Sequence, residues 1–264
     1  MHALLSNSLR TAFALLVMAY GTICAVAQTA EELVAKNIAA KGGMANIKSI
    51  TSKRTVGKLE TQGNVLQIGA DQKPEFMVRQ WATVQNLTRV LAYDGSEGWK
   101  INPFEGRRDP ERMGEEDTRD LFENYDFYGP LVDYQQKGSR VEYIGHASVD
   151  GDDALLLKVS LKNGDVIKYF LDPDTYLEIR AERMMFIRGK VRETFANLGS
   201  YKKVNDVYFP FSIEQGSPGN PANDSKITIS KIEVNIPMPD SEFKIPVATS
   251  APTHSAEGST NPKQ

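Results

Sequence analysis

The chain has one cysteine, Cys24, and only three histidines in 264 residues. Cys24 falls in an N-terminal stretch read below as a leader, so the rest of the chain has neither a disulfide framework nor a thiol nucleophile. Beyond that stretch only His146 and His254 remain, and no Cys, His, Asp or Glu spacing matches a metal site. A Gly-x-Ser-x-Gly elbow and a Walker-type phosphate loop are also missing. His146 lies just before the Asp150-Gly151 turn and reads as a structural side chain, while Glu115, Glu116 and Asp117 read as a solvated charge run. These absences argue against an enzyme and call for no cofactor. No period of about 20 to 50 residues recurs, which excludes a propeller or solenoid. The formal net charge is −3, one unit more negative without Arg10, and such mild acidity argues against a nucleic-acid partner.

What is present starts with an export signature. Arg10 is the only formal charge before Glu31, an apolar run from Ala12 to Cys24 follows it, and Ala25-Val26-Ala27 supplies the small-x-small cleavage pattern. The run is short for a bilayer span of about 20 residues, which sets an uncleaved anchor second. Lipidation of Cys24 is a third reading, with Ile23 large where a small residue is wanted. The expected organisation is a signal peptide at 1–27, one β-rich domain at 28–246 and a disordered tail at 247–264, rich in Ser, Thr, Ala and Pro.

The domain opens with a helix. Thr29 and Glu32 match a capping box, Leu33, Val34, Asn37 and Ile38 recur at helical spacing, and Gly42-Gly43 marks the stop. A short turn over Met44 to Ile47 leads into strands at Ser52–Glu60, Val65–Ala70, Glu75–Trp81, Leu87–Tyr93 and Gly98–Ile101. Pro103 to Met113 reads as a loop. Gly114 to Tyr128 reads as an amphipathic helix with Leu121, Phe122, Tyr125 and Tyr128 near one side, either a lid over a concave sheet or a plug in a barrel end. Strands resume at Val141–His146 and Asp153–Leu161.

From Lys168 to Pro246 the pattern is a meander, with segments at Lys168–Leu171, Leu177–Met184, Val191–Leu198, Val207–Ile213 and Lys226–Ile236. In the second segment Leu177, Ile179 and Ala181 share one side while Glu178, Arg180 and Glu182 share a wet one. Pro210 cannot donate to a ladder, so its strand is an edge or carries a bulge. Ile227 and Ile229 fall on one phase and Ile232, Val234 and Ile236 on the other, which a bulge near Ser230 reconciles. The fold class expected is mainly β (α+β): an incompletely closed antiparallel β-barrel with helices as a lid or plug.

Three segments in order carry a resemblance. Leu91-Ala92-Tyr93-Asp94-Gly95-Ser96-Glu97-Gly98-Trp99-Lys100-Ile101-Asn102-Pro103-Phe104 resembles the Asp-Gly turn, tryptophan strand and Asn-Pro-Phe exit of the LolA/LolB-like outer-membrane lipoprotein-sorting superfamily. Lys73-Pro74-Glu75-Phe76 with Trp81 is similar to its basic-Pro strand start, and Asp240-Ser241-Glu242-Phe243-Lys244-Ile245-Pro246 to its closing Phe-x-x-Pro element. The resemblance implies an unclosed barrel with helices over an apolar cavity for lipoprotein acyl chains. The family's carrier has arginine where this chain has Lys73, and a lysine lacks the planar fork of a multi-donor latch.

The function this implies is a periplasmic carrier or binding protein for acylated lipoproteins or lipids, a monomer working with inner- and outer-membrane protein partners. An acyl chain of about 15 methylenes resists leaving a membrane by on the order of 12 kcal/mol, so a carrier must offer a comparable apolar site. The candidate ligand-binding residues are Lys73, Phe76, Trp81, Trp99, Phe104, Leu121 and Phe122, each of the aromatic and aliphatic ones equally readable as core. A lipid sensor or protein-interaction module of the same fold is the second reading, and a hydrolase using strand-end carboxylates the third.

Overall fold

The computed structural model describes residues 28–246 apart from positions 124 and 188, with the side chains of Asp120, Phe122, Glu123 and Asn223 also outside the described set. The leader expected at 1–27, with Cys24, and the tail expected at 247–264 lie outside the described residues.

Helix α1 (Ala30–Ala40) begins on a complete capping box, in which Thr29 Oγ1 accepts from the Glu32 amide at 3.1 Å and the Glu32 carboxylate accepts from the Thr29 amide at 3.2 Å. Two helix-end donors are thereby satisfied reciprocally. Gly42 ends it at φ 121, where a Cβ would stand 2.0 Å from the Asp206 carbonyl oxygen, so only glycine lets the chain pass. Helix α2 (Met44–Lys48) follows.

The strands are β1 (Lys53–Thr61), β2 (Asn64–Gln72), β3 (Val78–Val84), β4 (Leu87–Tyr93), β5 (Gly98–Asn102) and β6 (Arg107–Arg112), then, after α3 (Glu115–Glu123), β7 (Arg140–Val149), β8 (Asp152–Ser160), β9 (Val166–Leu171), β10 (Glu178–Ile187), β11 (Lys190–Gly199), β12 (Lys202–Val204), β13 (Val207–Phe209), β14 (Ser212–Ser217) and β15 (Asn220–Val234). Thirteen of them form one antiparallel sheet in the order β6-β5-β4-β3-β2-β1-β15-β14-β11-β10-β9-β8-β7, while β12 and β13 pair separately. The sheet is open between β6 and β7. Residues 113–139, which join those two edges, cross from one to the other over a single face.

That face carries the helices. A Cβ on Gly98 would fall 2.4 Å from Thr118 Oγ1 of α3, so the missing side chain lets α3 lie against β5. In register, Gly98 stands beside Tyr93, then Val78, Gln72 and Lys53, and these residues therefore share the inner face. At the other end of the sheet α1 and Leu131 and Val132 of the crossing segment pack on Leu155, Leu157 and Val159 of β8 and on Ile167 and Leu171 of β9, forming the main core.

The opposite, outer face of β1 to β5 is covered by a C-terminal strap. Ser52 donates to the Ile236 carbonyl at 2.7 Å, Trp99 Nε1 donates to the Phe243 carbonyl at 2.6 Å, and Ile245, like Trp81, packs against the cluster of Val90, Ala92 and Trp99. Asp71, wholly buried there, receives Arg54 bidentately at 2.6 and 3.0 Å.

The expected bulge at Ser230 is present: Val56 pairs with Lys231 and Gly57 with Ile229, leaving Ser230 unpaired with its hydroxyl on the Val56 carbonyl. The segment expected at Val207–Ile213 is split at Pro210 into β13 and β14, as the absent donor requires. The helix expected over Gly114 to Tyr128 is shorter, α3 being Glu115–Glu123 with Tyr125 and Tyr128 outside it, and three further expectations need correction. Glu75 and Phe76 both have φ near 64, so β3 starts at Val78 and not at Glu75. The loop expected over Pro103 to Met113 contains β6, an edge strand whose Glu111 pairs with Arg107 at 2.8 Å and Lys100 at 3.5 Å. Glu178 is not on a wet face. A register shift between Glu178 and Arg180 turns it inward, where it is 5 % exposed.

Candidate functional site

Beneath the crossing segment the inner face is hollow. A chamber of about 230 Å³ is enclosed by the end of α1, α2, residues Asp126 to Gly129, and side chains including Lys53, Leu198, Tyr201 and Phe209. A wider cleft of about 680 Å³ adjoins it, sharing Asp126 and Tyr169, and runs past Ile167, Ala181 and Met185 toward Ala196, with Arg183, Arg192, Thr194 and Gln215 also on its walls. Together they fall in the roughly 300–1,000 Å³ range typical of ligand sites. A groove of about 740 Å³ lies on the outer face, along the row Arg180, Asn197, Glu214, Lys226 and Glu60. There Lys226 pairs with Glu214 at 2.8 Å and Arg180 bonds Asn197 at 2.8 Å and Glu182 at 3.0 Å, which makes it a solvated surface of mutually paired side chains.

The chamber's polar groups are ordered around Glu178. Lys41 Nζ lies 2.9 Å from its carboxylate, and the Tyr201 hydroxyl donates to its backbone carbonyl at 2.8 Å. Burial by itself would raise the Glu178 pKa, but the charge and hydrogen bond of Lys41, with further hydrogen bonds, hold it below the ordinary carboxylate value. Burial, reinforced by the Glu178 charge, pushes the phenols of Tyr169 and Tyr201 far up, so both stay neutral donors. Asp126 is neutralised by Lys137 at 2.6 Å. Lys53 differs from these groups. Its ammonium lies 5.8 Å from the Phe127 ring centroid and 5.6 Å from that of Phe209, and burial, then repulsion by Lys41, lowers its pKa to about 8.

Glu178 is fixed as an anion by Lys41, the tyrosines are held neutral, and among the described residues no group of three or more His, Cys, Asp or Glu could hold a metal ion. His146 stands exposed with Asp153 at 2.9 Å. No helix among the described residues is long and apolar enough to cross a membrane.

The residues singled out from sequence are dispersed. Trp81 and Trp99 come together on the outer face under the strap, where Gly69 leaves room for the Trp81 ring: a Cβ there would be 2.1 Å from Trp81 Cζ2. Phe76 is exposed in the turn before β3, and Phe104 is exposed in a 3-10 helix at Pro103–Glu105 after β5. Leu121 is buried on α3, which lies against β4 and β5, while the side chain of Phe122 is outside the described set. Lys73 donates to the Met238 carbonyl at 3.2 Å and pairs with Asp240, so its contact is with the strap and not with α3. Because Asp240 is mostly exposed, Lys73→Met is expected to cost at most about 1 kcal/mol in a urea unfolding curve. Lys41, Lys53, Tyr169, Glu178 and Tyr201 were not among the sequence candidates. The phase of β1 carries one signal for them, since Lys53, Thr55, Gly57 and Leu59 share a side on which a lysine is out of place.

No protein-family model matches the chain, and no curated protein matches it in sequence. Solved structures do resemble it. A LolA superfamily protein from Nitrosomonas europaea superposes at TM-score 0.55 and 11% identity, covering 83% of this chain and 98% of its own. A DUF1329 family protein from Desulfovibrio piger gives 0.55 at 13% identity, covering 81% and 97%. A Vibrio parahaemolyticus domain described as outer membrane lipoprotein-sorting gives 0.52 at 10% identity, covering 80% and 94%. With its open antiparallel sheet and the helices laid over one face, this chain has the LolA-like fold.

Proposed function

We propose that the protein is an exported, periplasmic binding protein for acylated cargo, a lipoprotein or lipid. It holds acyl chains reversibly between the inner face of the sheet and the segment crossing it, without covalent chemistry, and exchanges them with membrane-embedded partners. The observation that carries this reading is the pair of adjoining hollows beside residues 126–130 of the crossing segment, whose polar contacts include the Met113 amide to the Gly98 carbonyl, Tyr125 to Gln80, Tyr128 to the Ile50 carbonyl and Asp133 to Lys48. Leu131 and Val132 hold the later part of the segment in the core, so opening is confined to the part before Pro130. The lipoprotein-sorting description of the Vibrio relative supports the same class of cargo.

At the β5 end the crossing segment is anchored by Leu121, 5 % exposed on α3, which lies against β4 and β5 and lines neither hollow itself. Leu121→Glu places a charge in that contact and undocks α3 while leaving the strand ladders intact. It is expected to weaken binding of a fluorescent acyl probe at least fivefold with an unchanged strand signal in circular dichroism. Unchanged probe affinity in the folded variant would contradict the role given to the crossing segment.

A further inference from the structure

Charge accounting inside the chamber singles out one side chain. Glu178 is balanced by Lys41 and Asp126 by Lys137, with each pair in hydrogen-bonding contact. Tyr128, Tyr169, Tyr201 and Tyr208 line the same space without charge. Lys53 alone among the described lining residues brings a charge with no carboxylate within ion-pair distance, and two aromatic rings are its nearest electrostatic partners. Lys53 is half-buried, and a cation drawn partly out of water without a partner loses hydration without recompense. A lysine kept in this state at a cavity wall can be balanced by an anionic group of a ligand.

We infer that Lys53 is the head-group site of the chamber and receives the carboxylate or phosphate oxygen of an acyl-bearing ligand whose chain lies in the adjoining cleft. The site is graded to suit such a molecule. At the chamber end stand an ammonium and the neutral hydroxyl of Tyr169, a donor to an anion; in the cleft Ile167, Ala181, Met185 and Ala196 give an apolar strip between polar side chains that include Arg183, Thr194 and Gln215. Lys41 cannot take this part, since its charge is already engaged by Glu178. A neutral acyl ligand gains nothing from Lys53, so the ammonium selects acids and phosphates over alcohols and esters of equal chain length.

This inference rests on the acyl-binding reading, and its test separates the two. Isothermal titration would compare oleate, oleoyl-lysophosphatidate, oleyl alcohol and inorganic phosphate on the wild-type protein, Lys53→Met and Lys53→Arg. The methionine keeps the length of the stem and removes the half-buried charge, so the variant folds. The expected result is that oleate or the lysophosphatidate binds Lys53→Met at least tenfold more weakly than wild type, Lys53→Arg retains most of the affinity, and oleyl alcohol binds all three alike. Preference between the two anionic probes identifies the head group as carboxylate or phosphate. Equal oleate and lysophosphatidate affinities for wild type and Lys53→Met overturn the head-group assignment and leave acyl binding standing. Failure of every acyl probe to bind wild type overturns both. Inorganic phosphate binding as tightly as the lysophosphatidate, with the same dependence on Lys53, makes the site one for a free anion and overturns the acyl part.

Discussion

Phe243→Ala is expected to lower the stability of the protein by about 4 kcal/mol, the range for emptying a fully buried phenylalanine site. Phe243 has no exposed surface, and it is the pin of the strap that closes the outer face. Its carbonyl receives the Trp99 indole N–H at 2.6 Å, Glu242 next to it lies 3.4 Å from Arg54, and Ile245 just beyond it packs against the cluster of Val90, Ala92 and Trp99. Truncation therefore opens a cavity and loosens the contacts on either side of it. In thermal unfolding the midpoint should drop by on the order of 10 °C for a domain of this size. The strap lies across the sheet from the chamber, so oleate affinity of the folded variant should match wild type. A loss below about 1 kcal/mol would show that the strap is peripheral to the fold.

The second expectation concerns pH. Folding takes Lys53 from an ordinary value of 10.5 to about 8, because burial and the neighbouring Lys41 charge disfavour the ammonium. Below pH 8 both folded and unfolded chains carry the proton, and the full cost of burying it is present. Between about 8 and 10.5 the folded state has released the proton while the unfolded state keeps it, so unfolding takes one up and stability rises with pH. Measured against Lys53→Met, the wild-type protein should gain up to about 2 kcal/mol between about pH 7 and 9.5. The other charged groups facing Lys53 do not mimic this. Lys41 is paired with Glu178, which stays ionised throughout, Asp126 is paired with Lys137, and Tyr169 and Tyr201 are pushed above the window. Denaturant unfolding of both proteins at a series of pH values is the check. A wild-type-minus-variant difference that stays flat would show that Lys53 is solvated in the folded protein, and the charge argument for the chamber would lose its basis.

Much of the scaffold was legible because it is dictated locally. Thr29 and Glu32 specify the start of α1, Pro210 forbids a continuous strand, and the phase change between Ile229 and Ile232 demands the bulge that Ser230 fills. β6 was not legible, because its sequence Arg107 to Arg112 has no apolar alternation and is held by backbone pairing and cross-strand charge. The site was harder still. Aromatic residues were reasonable candidates for a lipid cavity, yet Trp81 and Trp99 serve the strap on the outer face, a contact with residues more than a hundred positions away. Glu178 looked solvated by alternation, and a bulge reversed its face and gave it Lys41. Lys53 had the right phase to point inward, but its lack of a counter-charge is a property of the assembled chamber and of no local pattern.

The most direct test of the central claim is native mass spectrometry of the protein released gently from its own cell envelope. The expected result is a mass increment corresponding to an acyl-bearing acid or phosphate, lost on activation in the gas phase and reduced in Lys53→Met. A protein that emerges at its bare mass, and that takes up neither oleate nor the lysophosphatidate when they are added, would contradict it.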